Sequence, residues 1–422
     1  MIKRLIAAVT AAAMLLLTAC SSSTVVLPKT EQTVITLSWW GNDSRNEYTL
    51  AAVKKFEQMH PGIKVKCSYS EWSGYESRSR VQMISGTEAD VMQINVGWLP
   101  QYSFDGKGYY DIEQLAGTVD LSSFSGQLLE YGRRNGILNA IPIAMNAETV
   151  YINRGIYSSH GLDIPKTWDD FFEAAKVLSK DGIYALSGAE KSIWLMLIAY
   201  AEQKSGKKIF NEKSQLCFGE EEFRTMIELY CRLVNENVMP KVEDFQRYNI
   251  DNQVYAGVVA WVSDALNYFK GPMDKGMDII PVDYPAFSPE NSGEGWYAKP
   301  ATLYAVSKNT EHPTEAAMLL EFMLNSDEWA DLQGVEKGIP VSTKVREHLE
   351  STGVLKGIQY DASQIMEKNT RISAMDSKIE NSDMFGNFTS SCDQVLFGKA
   401  SLEQAAADYY SLISQLYRVA ES

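Results

Sequence analysis

Apolar runs recur about every thirty residues in the first quarter of the chain, with helix-period stretches between them, which is the spacing of successive strand-helix-strand units. Val34 to Trp40 is almost continuously apolar. A stretch carrying Leu50, Val53 and Phe56 at helical spacing follows, and His60-Pro61-Gly62 ends it, since proline removes a helical donor and glycine favours a turn. Ile63 to Tyr69 alternates strictly. A second helical stretch around Val81 and Ile84 leads through Gly86 to Asp90-Val91-Met92-Gln93-Ile94. Helical crossovers between strands imply a parallel sheet.

A second α/β unit is expected after the strand-rich piece Ile141 to Tyr157. Thr167 caps a helix with Trp168, Phe171, Phe172, Ala175 and Leu178 on its apolar face, and Gly182 lies just past its end. Helical patterns run on to Asn237, and Val254 to Val262 and Met277 to Pro281 read as strands. The segment Tyr284 to Pro300, rich in Pro, Gly, Ser and Asn, reads as a loop between lobes. A strand from Leu303 to Ser307 and an apolar helix from Ala316 to Leu324 follow. Ser401 and Gln404 form a capping box ahead of the last helix. A chain of 422 residues, 45% of them hydrophobic, supports two lobes, each with its own core.

At the start, Lys3 and Arg4 precede an apolar run from Leu5 to Leu17 that ends in Thr18-Ala19-Cys20. At roughly 1.5 Å per residue this run reaches about 20 Å, short of the roughly 30 Å hydrocarbon core of a bilayer, and so reads as a signal peptide over 1–19. Leu17-Thr18-Ala19-Cys20 resembles the bacterial lipobox, which would make Cys20 the lipidated first residue of the exported chain. Residues 20–33 then serve as lipidated cysteine and tether. The expected location is the outer face of the bacterial cytoplasmic membrane, extracellular or periplasmic.

Thirty-nine Lys and Arg against 54 Asp and Glu leave a net charge of -15, which repels phosphate backbones and argues against nucleic acid as a partner. Cys67, Cys217, Cys231 and Cys392 are too few for a disulfide framework. Cys67 and Cys231 fall on apolar faces and read as core residues, and a Cys217 to Cys231 bridge stays open. Catalytic templates are absent: there is no G-x-S-x-G elbow, no Walker A sequence and no G-x-G-x-x-G after the first strand. His60, His160, His312 and His348 stand far apart and lack the i, i+4 partner of a zinc helix, so no metal or cofactor is expected. Three successive strand ends carry tryptophan beside polar residues: Trp39-Trp40-Gly41-Asn42-Asp43, Glu71-Trp72 and Asn95-Val96-Gly97-Trp98. Open parallel sheets place ligands at those ends, and a sugar offers an apolar face for stacking together with hydroxyls for Asp, Asn or Glu. Trp39 reads more as packing than as contact.

The chain resembles the extracellular solute-binding proteins of carbohydrate-uptake ABC transporters, of the kind related to maltose-binding protein. The resemblance runs through Ile35 to Trp40, Phe56 to Val65, Ala89-Asp90-Val91, Tyr151 to Arg154, Pro165 to Asp169, Gly257 to Asp264, and Ala305 to Asn309. It implies a two-lobed periplasmic-binding-protein-like fold with three crossings, near Ala147, Trp296 to Lys299, and Lys337 to Thr343. Lobe 1 would hold 34–146 plus 300–340, and lobe 2 would hold 147–299 plus 341–422. A sugar would lie in the central cleft against Trp40, Asn42, Asp43, Trp72, Asn95 and Trp98 of the first lobe. Asp264 and Asn267 of the second lobe, with Ser263 beside them, and Trp296 and Tyr297 at the crossing would complete the site. Trp261 is expected to pack. The resemblance further implies no chemistry, an ABC permease as partner, attachment to the membrane through the lipid, and a monomer. The alternative from another class is a surface glycosidase or polysaccharide-processing lipoprotein using two cleft carboxylates.

Overall fold

The computed structural model describes residues 32–420; the expected signal peptide, Cys20 and nearly all of the tether lie outside the described residues. Thr33–Trp40 (β1) pairs in parallel with Ile63–Ser70 (β2), Thr33 opposite Ile63 and Trp40 opposite Ser70, and on its other side with Val91–Ile94 (β3). The helices Asp43–Met59 and Trp72–Ser85 make the crossovers. Arg133–Arg134 (β4) and Ile137–Leu138 (β5) form a hairpin whose turn, Asn135-Gly136, has positive φ at both residues, as a two-residue turn of this type requires. Ala140–Asn153 (β6) is followed by Gly257–Trp261 (β7), Ile279–Val282 (β8), Tyr297–Val306 (β9) and Ser373–Ala374 (β10). The main order is β2-β1-β3-β9-β6-β7, with β8 on β6 and β10 on β9. The parallel expectation therefore holds for β1 to β3, and the crossing strands add antiparallel pairs.

All fourteen residues of β6 are buried, and the strand changes partners along its length. Ala140 to Ala147 pair with β9, whereas Glu148 to Ile152 pair with β7 and Val150 to Asn153 with β8. Two main cores flank this switch. Ile35, Leu37, Phe56, Ile141, Leu320 and Phe322 pack in the first, and Trp194, Phe223, Tyr230, Trp296 and Tyr409 in the second. β9 pairs with β10 at Tyr297 and Ala298 and with β3 from Leu303 to Val306, so it also runs between the two cores. The segment read as a loop up to Pro300 is thus strand from Tyr297 onward, because a chain passing between lobes beside β6 satisfies its backbone groups on that neighbour. A further segment packs on the first-lobe half of β6 at Pro340, which bridges to Ala144, and the third passage comes later, at Ile358–Lys368. Gly338 sits near Pro340 at φ +101, and a Cβ would come within 2.9 Å of the Ala144 Cβ, so the close approach needs glycine.

One sequence boundary shifts. Thr343–Ser351, expected in the second lobe, buries Val345 and Leu349 with Ala330 and Ile339 beside the first lobe's Asp327–Gln333 helix. Ile358–Lys368 spans the two, with Ile358 and Ala362 near β7 and Met366 in the first core.

Strand direction fixes where a ligand can sit. β6 is antiparallel to β9 and β9 to β3, so β6 runs the same way as β1 and β3, and it leaves the first lobe by its C-terminal end. The C-terminal ends of β1 and β3 therefore point toward the second lobe. β7 is antiparallel to β6, so its C-terminal end and the Val262–Asp264 turn point back at the first.

Candidate functional site

On the first-lobe side, the strand ends bring an aromatic cluster together. Trp40 lies 4.9 Å from Trp72, edge to face, and 5.4 Å from Tyr75; Trp72 and Tyr75 stack on Trp98 at 6.0 and 5.9 Å, and Tyr102 closes the cluster. The Tyr75 hydroxyl donates to the Gln93 carbonyl at 2.7 Å, and burial pushes its pKa up to about 12. Gly41 turns the chain out of β1: a Cβ there would meet the Arg45 Cβ at 2.6 Å. Asn42 then caps the next helix, its Oδ1 accepting from the Arg45 N–H at 3.0 Å. Asp43 is exposed. The Asn95 Oδ1 accepts from the Gly97 N–H at 2.9 Å and holds the turn that delivers Trp98.

On the second-lobe side the groups are charged. Asn146, one residue before the β6 partner switch, exchanges hydrogen bonds with Ser263: its Nδ2 donates to Ser263 Oγ at 2.9 Å, and its Oδ1 accepts from the Ser263 N–H at 3.1 Å. Glu148 is buried, with Oε1 accepting from the Ser192 hydroxyl at 2.9 Å and Oε2 unpartnered. Burial raises its pKa to about 8 against the pull of Ser192 and Lys191, with Asp264 and Glu380 adding to the rise. Burial also raises Asp264. Lys191 and Lys299 both reach Glu380, at 2.7 and 2.5 Å, and both ammonium groups lie over the Trp261 ring, at 5.3 and 4.9 Å. Burial lowers the Lys299 pKa, although Glu380 opposes it.

Between the lobes lies a cavity of about 1310 Å³. Val96, Gly97, Leu99, Pro100 and the β4 hairpin wall it from the first lobe, and Lys208, residues 210–215, Tyr297 and residues 372–377 wall it from the second; of the residues expected to touch a sugar, Tyr297 alone is on this wall. Two α/β lobes, three chain passages and a cleft at the strand ends make a ligand-capture architecture. A family model described as bacterial extracellular solute-binding protein matches residues 42–328. The chain belongs to this family.

Among solved structures, the chain is similar to an oligogalacturonide-binding protein of Yersinia enterocolitica solved with digalacturonic acid, at 28% identity and a TM-score of 0.74, covering 91% of this chain and 98% of that one. It is also similar to a de novo designed cysteine esterase, at 27% identity and a TM-score of 0.84, covering 92% and 98%. A multiple sugar-binding protein of Streptococcus mutans is 24% identical over 165 residues, and the match spans 38% of this chain and 38% of that relative.

Within this solute-binding fold the predicted residues divide. Trp40, Trp72 and Trp98 do come together, but Trp98 is 4% exposed and enclosed by its neighbours, whereas Trp72 is 38% exposed. Trp39 is core, stacked on Tyr69 at 4.7 Å with its indole N–H on Asn46. Trp296, expected to stack on a ligand, is 2% exposed and packs between Trp168 and Tyr284 with its indole N–H toward the Pro285 carbonyl. The Gly-rich stretch before it folds it into the second core instead of the cleft. Tyr297 lines the cavity; its hydroxyl donates to Glu202 and Lys208 lies 5.3 Å over its ring. Asp264 is half-buried, and Asn267 is exposed with its carbonyl accepting from Arg247. Cys217 and Cys231 are not bridged: both thiols are free, and Cys231 lies beside Cys392.

Asn146, Glu148, Lys191, Lys299 and Glu380 were not anticipated. For the first two a signal existed: an amide and a carboxylate inside the continuous run Ala140 to Asn153 cannot both turn to solvent, so each needs a partner or a ligand. The other three come from segments far apart in sequence. Among the described residues, no helix is long and apolar enough to cross a membrane and no cluster of potential metal ligands forms.

Proposed function

We propose that the protein captures a sugar or oligosaccharide in the interlobe cleft and delivers it to an ABC permease, without catalysing a reaction, from a lipid anchor at Cys20. The observation that carries this reading is that strand ends of the two lobes point at each other, bearing aromatic rings on the first lobe and hydrogen-bonding groups on the second, the two kinds of surface a saccharide presents. The sugars named for the Yersinia and Streptococcus relatives support a saccharide, and the lipobox supports the anchor. Two acyl chains at Cys20 suffice for stable attachment. The likeness to a designed esterase concerns an engineered protein and supports no reaction here.

A thermal-shift screen across neutral and acidic saccharides tests the reading, because a ligand at 100 times its dissociation constant stabilises a fold by about 2.7 kcal/mol. No shift with any saccharide counts against it. Release of reducing ends from labelled oligosaccharides would replace it with a hydrolase. For the anchor, Cys20→Ser should abolish labelling by a fatty-acid probe.

A further inference from the structure

We propose that the cleft is built for a saccharide that carries carboxylates, and that the ligand's negative charge is what draws the lobes together. This rests on the carbohydrate reading above and narrows it.

The chain has 39 basic residues against 54 acidic ones, yet the cavity wall reverses the balance. Arg133, Arg134, Lys208, Lys213 and Arg418 line it against three carboxylates. The cations come from both sides: the two arginines from the β4 hairpin of the first lobe, the other three from the second. Closing the lobes on an empty or neutral cleft brings like charges together in a space losing its water, which raises the cost of closure. An anion between them reverses the sign. A carboxylated ligand thus binds the closed form better than the open one, the condition for a ligand to drive closure.

The cations are unevenly satisfied. Arg133 is held by Glu113 and Glu130 at 2.5 and 3.0 Å, and Lys208 donates to Ser373 and lies 3.5 Å from Glu202. The Arg134 Nε is buried without a hydrogen-bond partner, and Lys213 is exposed on the opposite wall. Glu380, next to the wall residue Ile379, is shared by Lys191 and Lys299. Tyr131, half-buried on the first-lobe wall, supplies a ring face, which a small inorganic anion would not use. Guanidinium groups fit carboxylates with two parallel donors, a geometry that neutral hydroxyls do not offer.

The test is calorimetry on the mature chain with digalacturonate, with maltose as a neutral partner of equal ring number, and with inorganic phosphate as the bare anion, each at low and high salt. Digalacturonate should bind at least tenfold more tightly than maltose or phosphate, should weaken as salt rises, and should reduce the radius of gyration in small-angle scattering. The Arg134→Gln, Lys213→Gln double variant should unfold at the parent's temperature and bind digalacturonate at least tenfold more weakly. Equal or tighter binding of maltose, parent-like affinity in the double variant, or phosphate binding as tightly as digalacturonate would each overturn the proposal, and an unchanged radius of gyration at saturation would overturn its closure half. If neutral sugars bind and digalacturonate does not, the carbohydrate reading survives and this inference falls. If no saccharide binds, both fall.

Discussion

The facing strand ends of the two lobes are made of different materials. The first lobe presents Trp40, Trp72, Tyr75 and Trp98, assembled from three strand ends that follow one another in sequence. The second presents Glu148, Lys191, Asp264, Lys299 and Glu380, gathered from five separate segments around the partner switch in β6. Aromatic packing is tolerant of environment and adds about 0.5 to 1.5 kcal/mol per pair beyond its burial. Buried charge costs desolvation energy that only close partners offset, so the second face is sensitive to pH and to single deletions where the first is sensitive to volume.

The largest effect expected on the first face separates two tryptophans that the sequence treated alike. Trp98→Ala should cost about 3 to 5 kcal/mol, because it empties the centre of a closed cluster. Trp72→Ala should cost under about 1 kcal/mol of stability while weakening saccharide binding, since much of its ring faces solvent. Chemical denaturation and calorimetry on both variants decide the point. Equal stability losses would mean that the cluster has no inside and outside.

On the second face the corresponding probe is pH. The folded chain holds the Glu148 proton up to about pH 8, whereas the unfolded chain releases it near 4.5. Folding therefore retains a proton in that window, and stability falls as pH rises through it, by up to about 1.4 kcal/mol per pH unit. Lys191, Asp264 and Glu380 face the same carboxyl, so the slope belongs to the cluster as a whole. Glu148→Gln keeps an acceptor for Ser192 and cannot ionise, so its stability advantage over the parent should grow from pH 5 to pH 8. An advantage independent of pH would show that Glu148 is ionised in the folded chain at pH 5 and above. Trp98→Ala retains Glu148 and should keep the parent's slope, with a stability loss independent of pH, and measuring both variants across the window sharpens the contrast.

The contrast also explains what could be read in advance. β1 to β3, with their helices, are legible because hydrophobic period and turn residues act within about thirty residues. The convergence of Trp40, Trp72 and Trp98 followed from parallel topology alone. Which tryptophan ends up enclosed did not, because that depends on Tyr75 reaching over Trp98 from the Trp72–Ser85 helix. The Trp296 expectation failed for a related reason: a glycine-rich approach reads as a loop, and its burial is decided by Trp168 and Tyr284, more than a hundred and about ten residues away. The Lys191, Lys299 and Glu380 triad was invisible because ion pairing carries no period. Only the strand register that sets Lys299 of β9 beside the second lobe, and the fold that brings Glu380 back to it, create the site.

The smallest effect expected concerns Asn42, where a structural role and a ligand role are superposed at the aromatic face. Its Oδ1 caps the Asp43–Met59 helix, so Asn42→Ala should cost about 1 kcal/mol of stability whether or not a sugar touches it. Serine is an equally good cap but lacks the amide, so Asn42→Ser should restore the stability and leave any loss of saccharide affinity in place. If serine restores both, Asn42 serves the cleft only by fixing the helix that follows β1, and the first face binds by stacking alone. If affinity stays low with the helix intact, the aromatic face also carries a directional hydrogen bond, and the two sides of the cleft differ less in kind than their packing indicates.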